Sequence, residues 1–186
     1  MSRLQVFDED GALLSQTDDA GIIAERLAAV GVTFERWSTR GVSGNTPDAI
    51  LAAYAPEVER LRAIGGYRSV DVVIVAPDHP ERVPMRAKFL SEHSHAEDEV
   101  RFFVGGSGLF TLHAGARVWA VTTEAGDLML VPAGMAHWFD MGEAPYFTAI
   151  RMFVNPDGWV ATFTGDAIAD RFPRHGTLNP PPTGKD

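Results

Sequence analysis

His93-Ser94-His95 followed by Glu99, with His137 farther along, is the arrangement in this 186-residue chain best suited to chemistry. Side chains of an extended strand alternate between its faces, so His93, His95 and Glu99 share one parity and project to one side. His137, placed after Gly126 and Pro132-Ala133-Gly134, adds a distant fourth donor. Imidazole nitrogens suit iron, nickel, copper and zinc, a carboxylate draws harder ions, and the lack of thiolate argues against a closed structural zinc site. Four protein ligands on an octahedral ion leave two positions open, enough for a chelating substrate, or for substrate and dioxygen together. A lone histidine is usually structural; donors at this joint spacing favour a metal over polar residues that merely line a barrel.

The same parity describes the surroundings. Arg101 and Phe103 share the Glu99 face, which puts a guanidinium beside the ion, and a buried arginine there needs an anionic partner. Glu97 or Asp98 is the structural choice of partner; the functional choice, which we favour, is an anionic substrate oxygen held by the two-donor fork of Arg101. Val83-Pro84-Met85-Arg86-Ala87-Lys88-Phe89 reads as a strand with its odd positions inward, carrying Phe89 toward His93. Phe139 shares the parity of His137, whereas Trp138 takes the other face, so Phe89 and Phe139 are expected to wall an apolar pocket that excludes water. Arg151 lies in Phe147–Phe153, a stretch apolar on both faces, and is a second-rank substrate-binding candidate. Asp98 and Glu97 are the candidate bases for removing a substrate proton. His79, His113 and His175 lie outside this spacing and read as ordinary turn, strand and tail residues.

The elements that must position these groups follow from the hydrophobic period. After a first strand entering the Asp8–Gly11 turn, Asp18–Val30 has helical spacing and stops at Gly31. Val32–Ser38 alternates as a strand. Thr46-Pro47-Asp48-Ala49 is a capped helix start, and the helix is expected to run to Gly65-Gly66. From Ser69 the pattern is strand after strand: Val72–Val75, Val83–Phe89, Glu99–Val104, Leu109–Leu112, Arg117–Thr122, Asp127–Val131, His137–Asp140 and Tyr146–Phe153. A short helix near Ala161–Phe172 completes it. The expectation is a mainly β chain, a small antiparallel barrel with a few flanking helices. Residues 1–178 form one domain, with the metal-binding barrel at about 69–155 and a mobile, proline-rich tail at 179–186.

Composition narrows the function classes. A 186-residue chain with 45% hydrophobic residues can bury one sizeable core. A formal net charge of −9 disfavours a general nucleic-acid binder, because phosphate neutralisation needs a basic surface. The chain has no cysteine, hence no disulfides, which fits a reducing cytoplasm. Neither a signal-peptide pattern nor a membrane-spanning apolar run is present in the sequence. With no obvious apolar stripe left over, a monomer is expected.

Two spaced segments carry a resemblance. His-x-His-x3-Glu-x6-Gly ends at Gly106, and Gly-x5-Pro-x-Gly-x2-His runs from Gly126 to His137; both resemble the signature segments of the cupin superfamily, a jelly-roll β-barrel. Ala87 and Met141 stand where the general pattern usually has glycine and asparagine. Longer strings, Lys88–Val104, Val131–Gly142 and Phe147–Phe153, with Gly158-Trp159 and Phe163-Thr164-Gly165-Asp166 after them, resemble the acireductone dioxygenase family of methionine salvage. That resemblance implies one Fe(II) or Ni(II) per chain on His93, His95, Glu99 and His137. The implied substrates are O2 and the enediol 1,2-dihydroxy-5-(methylthio)pent-1-en-3-one. With iron the implied products are formate and 4-methylthio-2-oxobutanoate; with nickel they are formate, carbon monoxide and 3-(methylthio)propanoate. A zinc isomerase would call for a phosphate-binding basic patch, and a regulatory cupin for a DNA-binding module; neither N-terminal helix has a basic recognition face.

Overall fold

The computed structural model, which describes residues 1–42, 46–155 and 160–176, turns most of the alternating stretches into strands. In chain order the elements are β1 (Arg3–Asp8), β2 (Leu13–Thr17), α1 (Ala20–Ala28), β3 (Thr33–Arg36), α2 (Pro47–Ala53), α3 (Ala55–Gly65), β4 (Ser69–Val75) and α4 (Arg82–Phe89). They continue as β5 (His93–Ser94), β6 (Glu99–His113), β7 (Arg117–Glu124), β8 (Asp127–Val131), β9 (Ala136–Asp140), β10 (Phe147–Phe153) and β11 (Thr162–Phe163), with a 3-10 helix at Ile168–Arg171. The expected tail at 179–186 and the Gly158-Trp159 pair lie outside the described residues.

Strand β6 organises the barrel because it belongs to both sheets. Its first half pairs with β8 and β10, its second half with β7 and β9, and all these pairings are antiparallel. One sheet runs β11-β5-β9-β6-β7-β1-β2; the other runs β3-β8-β6-β10-β4. The two halves, expected as separate strands, are one 15-residue strand bent at its glycines. Gly106 adopts φ +70°, and a Cβ there would sit 1.8 Å from the Tyr146 carbonyl; a Cβ on Gly108 would meet the Phe139 ring at 2.5 Å. This is the antiparallel barrel with few helices that the period predicted, of the cupin type that the resemblance implied. The sheets reach beyond residues 69–155, since β1 and β3 pair with β7 and β8.

The interior between the sheets holds Leu4, Phe34, Phe103, Phe110, Met129 and Phe139, all buried. Helices α2 and α3 cover the outside of one sheet, setting Ile50, Tyr54, Val58 and Leu61 against Phe102 and Met152. The 3-10 helix covers the outside of the other, with Ile168 and Phe172 against Trp138. Helix α1 begins where expected, its first turn capped by the Asp19 side chain, which accepts the Ile22 N–H at 2.9 Å; such a cap contributes about 1 kcal/mol.

Three sequence expectations are corrected. The Val83–Phe89 stretch is a helix: its odd apolar positions include Met85 and Phe89, an i,i+4 pair that lines one helical face as readily as one strand face, and both pack on the interior core. Arg86 and Lys88 fall in its last turn, where they complement the helix dipole. Ala87 in place of the superfamily glycine therefore sits in a helix, where glycine would be unfavourable. The expected helix from Thr46 to Gly65 breaks at Tyr54, because Pro56 lacks the N–H that continuity requires. The region 161–172 is not one helix; Gly165 at φ +81° separates β11 from the 3-10 turn.

Candidate metal centre

His93 opens β5, His95 follows it, and His137 lies in β9 directly across from His93 in the ladder. Glu99 opens β6 on the other sheet. The chain thus brings two imidazoles from one sheet, a third from just beyond β5 and a carboxylate from the other sheet into the barrel interior. One ligand nitrogen from each of His93, His95 and His137 lies within 4.8 Å of the others. Glu99 Oε2 lies 3.1 Å from His137 Nε2 and 3.4 Å from His95 Nε2. All four residues are at most 4% exposed.

The second nitrogen of each ring explains the orientation. Nδ1 lies 2.8 Å from the Ser91 carbonyl in His93, 3.0 Å from the Val160 carbonyl in His95 and 2.8 Å from the Met135 carbonyl in His137. A carbonyl only accepts, so each Nδ1 carries a proton and each Nε2 is the nitrogen turned toward the cluster, the orientation a ligating histidine needs. Lone pairs and a carboxylate oxygen crowded at such distances out of water require positive charge among them. A divalent cation meets that need, and the nitrogen-rich donor set suits a transition metal. The residues present therefore fit a metal.

Electrostatics keeps His93 and Glu99 in ligating form and draws His95 the other way. Burial, helped by the neighbouring imidazoles, pushes His93 down to about 4, so it is neutral at pH 7. Burial acts the same way on His95, but hydrogen bonds with Glu99 and the Val160 carbonyl outweigh it and raise the ring. Burial alone would raise Glu99; Arg101 and the two imidazoles instead hold it well below the usual carboxylate range.

Arg101 is buried, as its parity required, and its anionic partner is Glu99 itself, with Nη2 2.8 Å from Oε1, rather than Glu97 or Asp98. Its guanidinium stands 4.5 Å from the Phe139 ring centroid and 5.1 Å from that of Phe110, within cation–π range. Burial lowers its pKa from the usual arginine value against the pull of Glu99. Phe89 reaches His93 at 5.8 Å between centroids, from the end of a helix rather than from a strand. Arg151 pairs in register with Arg101 and makes two bonds to Asp71, at 2.8 and 2.6 Å, on the next strand. Asp98 accepts the Ala133 N–H at 3.0 Å, in the turn leading to His137, and lies 3.5 Å from the Tyr67 hydroxyl. Glu97 accepts the Asn155 N–H at 2.9 Å.

A profile of the ARD/ARD' family matches residues 9–161. Acireductone dioxygenase of Xylella fastidiosa is 53% identical over 180 residues, covering 94% of this chain and 95% of the relative. That of Pseudomonas aeruginosa is 54% identical over 180 residues, 93% and 98% of the two chains. This chain belongs to the acireductone dioxygenase family. Among solved structures, acireductone dioxygenase from Bacillus anthracis with a cadmium ion in its active centre superposes with a TM-score of 0.78 at 27% identity, over 88% of this chain and 98% of that one. Membership agrees with the site: a metal-dependent dioxygenase needs a histidine cluster such as the one formed here. No helix among the described residues is long and apolar enough to cross a membrane.

Sequence reasoning missed four participants. The Val160 carbonyl under His95 and the Asp71 partner of Arg151 leave no mark in local spacing. Phe163, whose ring is 5.7 Å from that of His93, was legible only as part of a familiar string. Glu92, buried beside His93, has the parity that faces away from the histidines and so attracted no attention. His113 and His175, read as ordinary, bond to Glu92 and Ser107 respectively.

Proposed function

We propose that this chain is an acireductone dioxygenase that cleaves 1,2-dihydroxy-5-(methylthio)pent-1-en-3-one with O2 in methionine salvage. The observation that supports it best is the convergence of three imidazoles, each with its Nδ1 proton taken by a main-chain carbonyl, beside the Glu99 carboxylate. His93, His95, Glu99 and His137 would hold one Fe(II) or Ni(II), which when bound supplies a Lewis acid and template for the two enediol oxygens. Iron would direct the reaction to formate and 4-methylthio-2-oxobutanoate, and nickel to formate, carbon monoxide and 3-(methylthio)propanoate.

The remaining steps belong to side chains. Arg101, held by Glu99 and the faces of Phe139 and Phe110, presents a fixed positive charge that balances the enediolate. Arg151, tied to Asp71 on the neighbouring strands, adds a second positive charge on the same face. Asp98 is the better placed of the two candidate bases: it adjoins Glu99 and bonds to the turn that leads to His137, whereas Glu97 is bonded toward Asn155. Phe89 and Phe139 hold the methylthio tail and keep water from the reacting carbons. We read residues 1–178 as one catalytic domain, working as a cytoplasmic monomer, in keeping with a cysteine-free, acidic composition.

Anaerobic mixing of the metal-loaded protein with the enediol, followed by O2, tests the reading. Oxygen uptake matched by formate is expected. Enediol that persists, with oxygen consumed no faster than without protein, would exclude it.

A further inference from the structure

Glu92 immediately precedes the first histidine but faces away from it. Neighbours in an extended segment point to opposite sides, so while His93 turns to the cluster, the Glu92 carboxylate enters a separate buried compartment, where the residue is 4% exposed. Both carboxylate oxygens are engaged there. Oε1 lies 2.6 Å from His113 Nδ1, and Oε2 accepts the Thr164 hydroxyl at 2.7 Å. The Glu92 carbonyl accepts the Thr164 N–H at 3.2 Å. His113 extends the network, with Nε2 3.0 Å from Glu9 Oε1. An imidazole with a carboxylate at each nitrogen donates from both, so it is held as a cation; burial opposes this, but Glu9 and Glu92 raise its pKa above the usual value.

The segments joined by this network are far apart in sequence. Glu9 lies in the turn after β1, His113 ends β6, Glu92 precedes β5 and Thr164 follows β11. Strand β11 has only two residues, both exposed, and stands at the sheet edge beside β5. So short an edge strand has too few ladder bonds to hold its own place. Yet its Phe163 ring contacts His93, and just upstream the Val160 carbonyl orients His95. The segment that touches two of the three histidines from outside is thus anchored by the bonds to Glu92.

We propose that Glu92 is a positioning residue: with Thr164 as its grip and His113 and Glu9 behind it, it seats β11 so that Phe163 closes the outer side of His93 and the Val160 carbonyl fixes His95. Phe163 then joins Phe89 as a wall for the apolar end of the substrate. The role rests on the metal-centre reading above, but its primary test needs no enediol.

Nickel release from the loaded protein into excess chelator, together with amide hydrogen exchange at Thr164, measures the seat directly. Thr164→Val removes the hydroxyl at an exposed position, so folding is preserved, and is expected to speed both; for nickel release the change is about 10-fold, the scale for losing support around a ligating histidine. Glu92→Gln should move both in the same direction, and Thr164→Ser should restore wild-type values. Phe163→Ala, with the grip intact, should leave nickel release unchanged and raise KM several-fold while sparing kcat, the pattern of lost uniform binding. Nickel release unchanged in both Thr164→Val and Glu92→Gln overturns the proposal, as does failure of Thr164→Ser to restore it. Release from Phe163→Ala as fast as from Thr164→Val would assign the effect to the ring and overturn it as well. Wild-type protein that releases nickel slowly yet makes no formate would instead count against the dioxygenase reading alone.

Discussion

Glu99 and Asp140 are both buried carboxylates paired with an arginine, and they differ in what surrounds the second oxygen. Asp140, at the end of β9, takes two bonds from Arg86 at 2.7 and 3.1 Å, and main-chain N–H groups of Gly142 and His175 bond to it at 2.8 and 3.0 Å. Every group around it donates, and the charge is satisfied. Glu99 takes one bond from Arg101 on Oε1 and turns Oε2 toward the Nε2 atoms of His95 and His137, whose Nδ1 protons are already committed. Strand ends and turns are pinned by the first arrangement; the second has valence to offer a cation. Burial and an arginine partner do not by themselves distinguish a structural carboxylate from a ligand, but the character of the other neighbours does.

The contrast can be broken most severely at the ligands. His137→Ala is expected to abolish metal retention and lower kcat/KM at least about a thousandfold, roughly 4 kcal/mol of transition-state stabilisation, checked by elemental analysis beside formate production. Arg101→Ala should keep the metal but lose turnover by about a hundredfold; Arg101→Lys should recover little, because an ammonium cannot reproduce the fork. Retained turnover in Arg101→Ala would remove the clamp. Asp98→Asn should cost a similar factor in kcat through loss of the base, about a hundredfold, with metal content unchanged.

Asp140→Asn probes the other side of the comparison. It should leave metal content intact while costing roughly 2–3 kcal/mol of stability by stranding a partly buried arginine. Burial alone would raise Asp140, but Arg86 and the two main-chain donors lower it. A carboxylate with a depressed folded pKa stabilises the fold above its unfolded pKa and loses that contribution as pH falls through the folded one. The gap between wild type and Asp140→Asn in denaturant titrations should therefore be full at neutral pH and close below about pH 4. A gap that persists in acid would mean that packing, not charge, holds this corner. Glu97→Gln is the smallest expected change, with kcat within about twofold of wild type, since an exposed backbone bond contributes little.

The clustered residues were legible because they are local, two histidines and a glutamate within seven residues and a turn that leads to His137, although no single strand carries them: β5 ends at Ser94 and Glu99 opens β6 on the other sheet. Arg101 was legible for the same reason, although its partner was not, since parity says which face a residue takes and not which neighbour it meets. Helix α4 was misread because Met85 and Phe89 satisfy both periods at once. Tyr54 and Pro56 show the reverse case, a break written plainly in the sequence but overridden by the strong apolar period around it. Glu92 was out of reach of any local pattern: its partners are 21 and 72 residues away.

The three carbonyl contacts behind the histidines have one more consequence. Because the main chain of the barrel sets each ring before any ion arrives, loading requires no tautomer to change and little of the scaffold to rearrange. A receptacle prepared in this way can take up an ion without first reordering its ligands, so the barrel carries the work of preorganisation that a flexible loop would leave to the metal.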